Sequence, residues 1–225
     1  MIILTGASGG IGLEILKELS KLDDILAIYH SSKPKDINLK NVTFQKVDIS
    51  SHEEIKNFIF EKSSNIKDVT LINMAAVSLD GLLASYDLKD WEKVMSINFT
   101  SNFLLSRYLL PIMIKDKWGR IIHISSTNSA IGAGAYSASK SGLEGLSKAL
   151  SKEYARYNIT SNIIKLGVFD TGMFYKLSEK NKKAFIDLIP SKKLGKTSNI
   201  VNAINFLINS EFVNGASITI DGGSS

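Results

Sequence analysis

Met1-Ile2-Ile3-Leu4-Thr5-Gly6-Ala7-Ser8-Gly9-Gly10-Ile11-Gly12-Leu13-Glu14-Ile15-Leu16-Lys17-Glu18-Leu19 opens the chain. Its first five residues are an apolar, β-branched run stopped by Gly6, the pattern of a buried strand. From Ile11 the apolar residues recur at helical spacing. Strand, glycine turn and helix make the first half of a βαβ unit. The free N–H groups and positive dipole end of such a helix favour a pyrophosphate. Gly6 permits the tight turn, Gly10 the approach of backbone to phosphate, and Gly12 close packing of helix on strand. Ala7, Ser8, Gly9 and Ile11 complete the turn and are candidate contacts. The spacing is GxxxGxG rather than GxGxxG. A glycine turn with no ligand is the plain alternative, but the strand-turn-helix context favours nucleotide binding.

Beyond this opening the chain alternates. Strands are expected at Ile25–Tyr29, Val42–Val47, Val69–Asn73, Arg120–Ser125, Ile159–Leu166 and Ser217–Ile220. Helices are expected at Glu53–Ser63, Asp90–Lys115, Tyr136–Tyr157 and Asn199–Asn209. Ser51-x-x-Glu54 has capping-box form. Repeated βα alternation calls for a parallel sheet covered on both faces. The expected fold class is therefore α/β, one Rossmann-type doubly wound domain over residues 1–225 without repeat or linker. Such sheets bind ligands beyond the carboxyl ends of their strands. Asn73, Ser126 and Gly167 all fall at expected strand ends.

A chain of 225 residues, 44% hydrophobic, can bury one substantial core. No apolar run is long enough for a membrane span, and the start does not read as a signal peptide. The absence of cysteine excludes disulfides, zinc–thiolate sites and thiol nucleophiles, and fits a cytoplasmic location. No metal site is expected. The net charge is +5, with lysines gathered at Lys176, Lys180, Lys182, Lys183, Lys192, Lys193 and Lys196. No aromatic residues interleave with them as in a nucleic-acid site, so a solvated surface is the stronger reading. Steering of an anionic substrate or acidic carrier is the functional alternative.

Tyr136 and Lys140 stand four apart in Tyr136-Ser137-Ala138-Ser139-Lys140, on one helical face. A phenol of pKa ~10 is a weak acid–base catalyst at neutral pH. A cation at ~5 Å favours its anion by roughly 3 kcal/mol at an effective dielectric of ~20, about two pKa units. The expectation is that Lys140 brings the phenol toward working pH. Alone, the pair equally fits a lysine snorkelling beside a half-buried aromatic.

Thr5-Gly6-x-x-x-Gly10-x-Gly12 together with Tyr136-x-x-x-Lys140 resembles the short-chain dehydrogenase/reductase family, and the likeness runs along essentially the whole chain. Leu71-Ile72-Asn73-Met74-Ala75-Ala76 takes the place of the family's Asn-Asn-Ala-Gly strand end. Asn98 matches its helix asparagine and Ser126 its catalytic serine. Gly167-Val168-Phe169-Asp170-Thr171 resembles the segment that grips the nicotinamide carboxamide. Ile189-Pro190-Ser191-Lys192-Lys193-Leu194-Gly195 is similar to the 3-oxoacyl-carrier-protein reductase branch. The resemblance implies an NAD(P)-dependent oxidoreductase interconverting a carbonyl and a secondary alcohol, on a small-molecule or carrier-tethered substrate. It implies that Tyr136 moves the proton, Ser126 orients the carbonyl oxygen, Lys140 also holds the nicotinamide ribose, and Asn98 positions a relay water. Besides the glycine turn, Tyr136 and Lys140, the implied cofactor contacts are Ser31, Lys33, Asp48, Ile49, Asn73, Ala75, Phe169 and Thr171. By the same analogy, the helices at Asp90–Lys115 and Tyr136–Tyr157 pair copies into a homotetramer or homodimer, with no nucleic-acid or membrane partner. A sugar or polyol dehydrogenase and a non-catalytic dinucleotide-binding regulator are the alternatives.

The second strand ends Tyr29-His30-Ser31-Ser32-Lys33, with no carboxylate to bind a ribose 2′-hydroxyl or repel a 2′-phosphate. NADP(H) is therefore expected over NAD(H), although Gly9 stands where many NADP-using relatives carry arginine. Met74, Ala76 and Leu166 depart from the family pattern. The interval from Ser126 to Tyr136 is ten positions, shorter than that pattern. This alters one substrate wall and leaves either Ser125 or Ser126 facing the substrate, because strand side chains alternate. Met173–Pro190 reads as an amphipathic lid.

Overall fold

The computed structural model describes residues 1–34, 37–127, 130–170 and 178–225. Seven strands form one sheet: β1 (Ile2–Thr5), β2 (Ile25–Tyr29), β3 (Val42–Lys46), β4 (Val69–Asn73), β5 (Gly119–Ser126), β6 (Ile159–Leu166) and β7 (Ser217–Ile220). Their order is β3-β2-β1-β4-β5-β6-β7, and every pairing is parallel. The chain winds outward from β1 to β3, then crosses back to β4 on the other side of β1. That reversal opens a crevice at the carboxyl ends of β1 and β4. β1 and β4 are buried along their whole length, which is why they read as unbroken apolar runs.

Among the described residues there are seven α-helices: α1 (Gly10–Leu19), α2 (His52–Lys62), α3 (Leu88–Met95), α4 (Ser101–Asp116), α5 (Gly134–Glu153), α6 (Glu179–Leu188) and α7 (Thr197–Asn209). Strand alternation divides the apolar residues between two cores. Ile2, Leu4, Ile72, Ile122 and Ile164 pack with α1 and α7 on one face. Ile3, Leu71 and Ile121 pack with Ile55, Leu105 and Leu109 on the other. Among the described residues no helix is long and apolar enough to cross a membrane.

The element limits match the expected ones closely, with one departure that matters. The single helix expected over Asp90–Lys115 is two helices, α3 and α4, joined by a π-turn at Ser96–Thr100. Periodicity alone does not register one inserted residue, but the insertion turns Asn98 fully inward. The capping box at Ser51 is half made. Ser51 Oγ accepts the Glu54 N–H at 3.3 Å, whereas the Glu54 carboxylate accepts the Asp48 N–H at 2.7 Å. The donor in the β3–α2 loop takes the carboxylate that a full box would return to Ser51.

Candidate active site

The glycine turn has no room for a side chain at Gly6 or Gly12. Gly6 has φ +71°, and a Cβ there would stand 2.9 Å from the Ala75 backbone. At Gly12 it would stand 2.1 Å from the Gly6 carbonyl oxygen. Thr5 Oγ1, itself buried, accepts the N–H groups of Met74 and Ala75 at 3.0 and 3.1 Å, tying the ends of β1 and β4 together. Ala7 is buried, while Ser8, Gly9 and Gly10 face solvent. No side chain caps the start of α1. An exposed turn of backbone donors at a helix N-terminus fits the pyrophosphate of a dinucleotide.

At the far side of the crevice Ser31 and Lys33 are exposed beyond β2, with the Lys33 ammonium 5.4 Å from the centre of the Phe44 ring. Asp48 accepts the N–H and hydroxyl of Ser50 at 2.9 and 2.7 Å and lies 3.7 Å from His30. Burial pushes its carboxyl up, but the Ser50 hydrogen bonds, helped by His30, hold it below the usual carboxylate range. Three expected contacts have buried side chains, which leaves their backbone to meet a cofactor. Ile49 points into the core with Val47 and Ile55. The Phe169 ring is buried against Gly195, where a Cβ would come within 2.6 Å of it. Asn73 is buried beside His123. Position at a strand end does not reveal which face a side chain takes. Thr171, and with it the first part of the expected lid, lies outside the described residues. The rest of that segment contains α6, whose Ser178 cap accepts the Asn181 N–H.

Tyr136 and Lys140 occupy the first turns of α5, against the end of β5. Lys140 Nζ donates to the Ile124 carbonyl at 2.7 Å and stands 5.8 Å from the centre of the Tyr136 ring. Ser126 hydrogen-bonds the Tyr136 phenol. Ser125 turns the other way and donates to the Lys140 carbonyl at 3.1 Å, so of the two serines it is Ser126 that meets the tyrosine. Burial draws the Lys140 ammonium down to about 8. Burial also raises the phenol of Tyr136, with the Ser126 hydrogen bond working against it. The expected net lowering by Lys140 is therefore corrected. The lysine donates to a carbonyl, and the phenol's loss of water outweighs the Ser126 hydrogen bond.

Asn98 is wholly committed. Its Oδ1 accepts the Val77 N–H at 2.8 Å, and its Nδ2 donates to the Val77 carbonyl at 2.9 Å and to Ser139 Oγ at 3.1 Å. Ser139 in turn donates to the Tyr136 carbonyl at 2.7 Å. Asn98 thus locks the segment after β4 to the helix carrying the tyrosine. Val77, Asn102, His123 and Ser139 were not singled out in the sequence. The one available signal was isolated polar residues inside otherwise apolar elements, His123 between Ile122 and Ile124 among them. The shortened segment before Tyr136 is anchored: the Gly81 N–H donates to the Gly132 carbonyl at 2.9 Å, and Leu83 lies over Gly134.

This fold and site define an oxidoreductase acting on CH–OH and C=O groups with a nicotinamide dinucleotide. The short chain dehydrogenase family model matches residues 1–182. The 3-oxoacyl-acyl-carrier-protein reductase FabG of Rickettsia conorii is 35% identical over 98% of this chain and 95% of its own length. Nodulation protein G of a Rhizobium species is 32% identical over the same shares. The crystal structure of a candidate gluconate dehydrogenase from Agrobacterium tumefaciens matches with a TM-score of 0.90 and 26% identity, covering 100% of this chain and 95% of that one. The chain belongs to the short-chain dehydrogenase/reductase family.

Proposed function

We propose that the protein reduces a 3-oxoacyl group, free as a thioester or tethered to a carrier, to the 3-hydroxyacyl group with NADPH. The observation that carries this is the Ser126–Tyr136 hydrogen bond beside a buried Lys140. A bound nicotinamide supplies the hydride. As the carbonyl oxygen gains charge, Tyr136 donates its phenolic proton to it, and Ser126 donates a hydrogen bond to the same oxygen. A phenol raised by burial is protonated at neutral pH, the state a donor requires. Lys140, at about 8, is mostly ammonium at pH ~7 and offsets the phenolate left behind. Water then reprotonates the phenolate.

The acyl reading is supported by the similar reductases and by an apolar rim. Leu82, Leu83 and Ile131 are exposed on the two loops that Gly81 and Gly132 tie together next to α5. Exposed Lys192, Lys193 and Lys196 would attract an acidic carrier. The likeness to a candidate gluconate dehydrogenase favours oxidised sugars as the second reading. Nicotinamide absorbance with 3-oxoacyl thioesters and oxidised sugars decides between them. A kcat/KM higher by about tenfold or more for the thioesters is expected, and the reverse order would favour the sugar reading. Dinucleotide binding with no turnover across the panel would favour a regulator. NADPH preference rests on Ser31 and Lys33. Lys33→Ala should raise KM for NADPH about tenfold, the loss of one charge contact of about 1.4 kcal/mol, and leave KM for NADH within about twofold. Equal effects on both would remove this basis for the preference.

A further inference from the structure

His123 sits in β5 between Ile122 and Ile124 with no exposed surface. A polar ring there is costly unless hydrogen-bonded. Strand register sets it beside Asn73 of β4. Its Nδ1 is 3.0 Å from Asn102 Oδ1 and 3.2 Å from Asn73 Nδ2. One ring nitrogen cannot serve both as drawn, and the surroundings decide which it serves. The Asn102 carboxamide is oriented by a separate bond, its Nδ2 donating to the Asn98 carbonyl at 3.0 Å. Its Oδ1 therefore meets the imidazole as an acceptor, and Nδ1 carries the hydrogen. Nε2, which has no partner among the described residues, is then the lone-pair nitrogen. That is the cheaper orphan, because unpaired buried N–H groups are rarer than unpaired acceptors. Burial and the Lys140 ammonium hold the ring's pKa down at about 3, so it stays neutral. Two donors cannot face each other, so a protonated Nδ1 requires the Asn73 amide turned over, with Oδ1 in place of Nδ2 beside that hydrogen.

From Asn102 the chain of bonds runs on without a gap. It passes through the Asn98 carbonyl in the π-turn, the Asn98 side chain, Ser139 Oγ and the Tyr136 carbonyl. We propose that His123, held as the Nδ1–H tautomer, is a positioning residue that acts through Asn102 and Asn98 to place the α5 turn bearing Tyr136 and Lys140. A π-turn is a rare single-turn interruption of an α-helix, and this lateral brace fixes it. The inference rests on the reading of Tyr136 and Lys140 as the reacting pair.

Nitrogen-15 NMR of the full chain tests the tautomer without any turnover. A protonated Nδ1 and bare Nε2, unchanged from about pH 5 to about pH 8, are expected; an Nε2–H ring, or titration in that range, would overturn the proposal. His123→Leu and Asn102→Leu should each lower kcat by about 10- to 100-fold, with cofactor KM within about twofold. Because the double variant removes both polar partners, it should be no worse than either single one. His123→Asn sets an amide N–H at the same branch point as Nδ1 and should recover kcat to within about threefold of wild type. Leu variants with wild-type kcat despite a lower Tm, or no rescue by Asn, would make the role merely structural. If wild type turns over nothing, the functional reading fails on its own. The tautomer still decides, together with Tyr136 and Lys140 resonances that should move in the Leu variants and return in His123→Asn; resonances that stay put would overturn the proposal.

Discussion

Gly12 admits no side chain, since a Cβ would be driven 2.1 Å from the Gly6 carbonyl oxygen. Gly12→Ala is expected to abolish dinucleotide binding measured by fluorescence titration, even where circular dichroism shows a folded protein; tight binding by this variant would contradict the cradle. His123 makes a second prediction at this scale. Its ordinary pKa of 6.5 falls to about 3 on folding. Below about pH 6.5 the unfolded chain therefore binds a proton that the folded chain refuses. The stability from the neutral ring is present above that pH and is lost as pH falls toward about 3. Thermal melts from about pH 7 to about pH 4 should show Tm falling more steeply in wild type than in His123→Asn. Gly6, Gly12, Tyr136 and Lys140 stand out in the sequence because short fixed spacings carry them, whereas Ser126 rather than Ser125 follows from the family resemblance alone. The inward turn of the Ile49 and Phe169 side chains was not legible, because spacing gives a place along the chain but not the direction a side chain takes. The phenol's raised pKa was also hidden, since Coulomb's law can be applied to a spacing while desolvation needs the packed structure.

The elements themselves were readable wherever a single period ran unbroken. The opening strand and helix emerged from apolar spacing, and the all-parallel sheet from βα alternation. The π-turn at Ser96–Thr100 did not, because one extra residue barely disturbs helical periodicity yet redirects Asn98. Half a capping box went unforeseen for a similar reason, since the competing donor at Asp48 comes from a loop closed only in three dimensions. At the end of α4, Lys117 takes the left-handed conformation at φ +52°, which costs a side-chain-bearing residue free energy. Lys117→Gly should stabilise the protein by up to about 1 kcal/mol. Urea denaturation would show a higher midpoint at unchanged slope, and a lower midpoint would mean that the lysine side chain contributes more than its backbone costs.

At the scale of the whole molecule, the reversal of strand order brings β1, β4 and β5 together at their carboxyl ends, so residues far apart in sequence meet in one crevice. That convergence was anticipated from Asn73, Ser126 and Gly167 lying at strand ends, although the Asn73 side chain is buried beside His123. We propose that copies of the chain pair through α4 and α5, where Phe103, Leu110, Pro111 and Leu146 line an open groove. Light scattering should give a multiple of the 24.7 kDa chain mass, four or two copies, and a monomer mass would reject the pairing. The reading of the chemistry is tested most directly by Tyr136→Phe, with cofactor binding and steady-state turnover measured on the same preparation. NADPH affinity within about threefold of wild type and turnover lower by about 100-fold or more are predicted; turnover comparable to wild type would contradict the assignment of the proton to Tyr136.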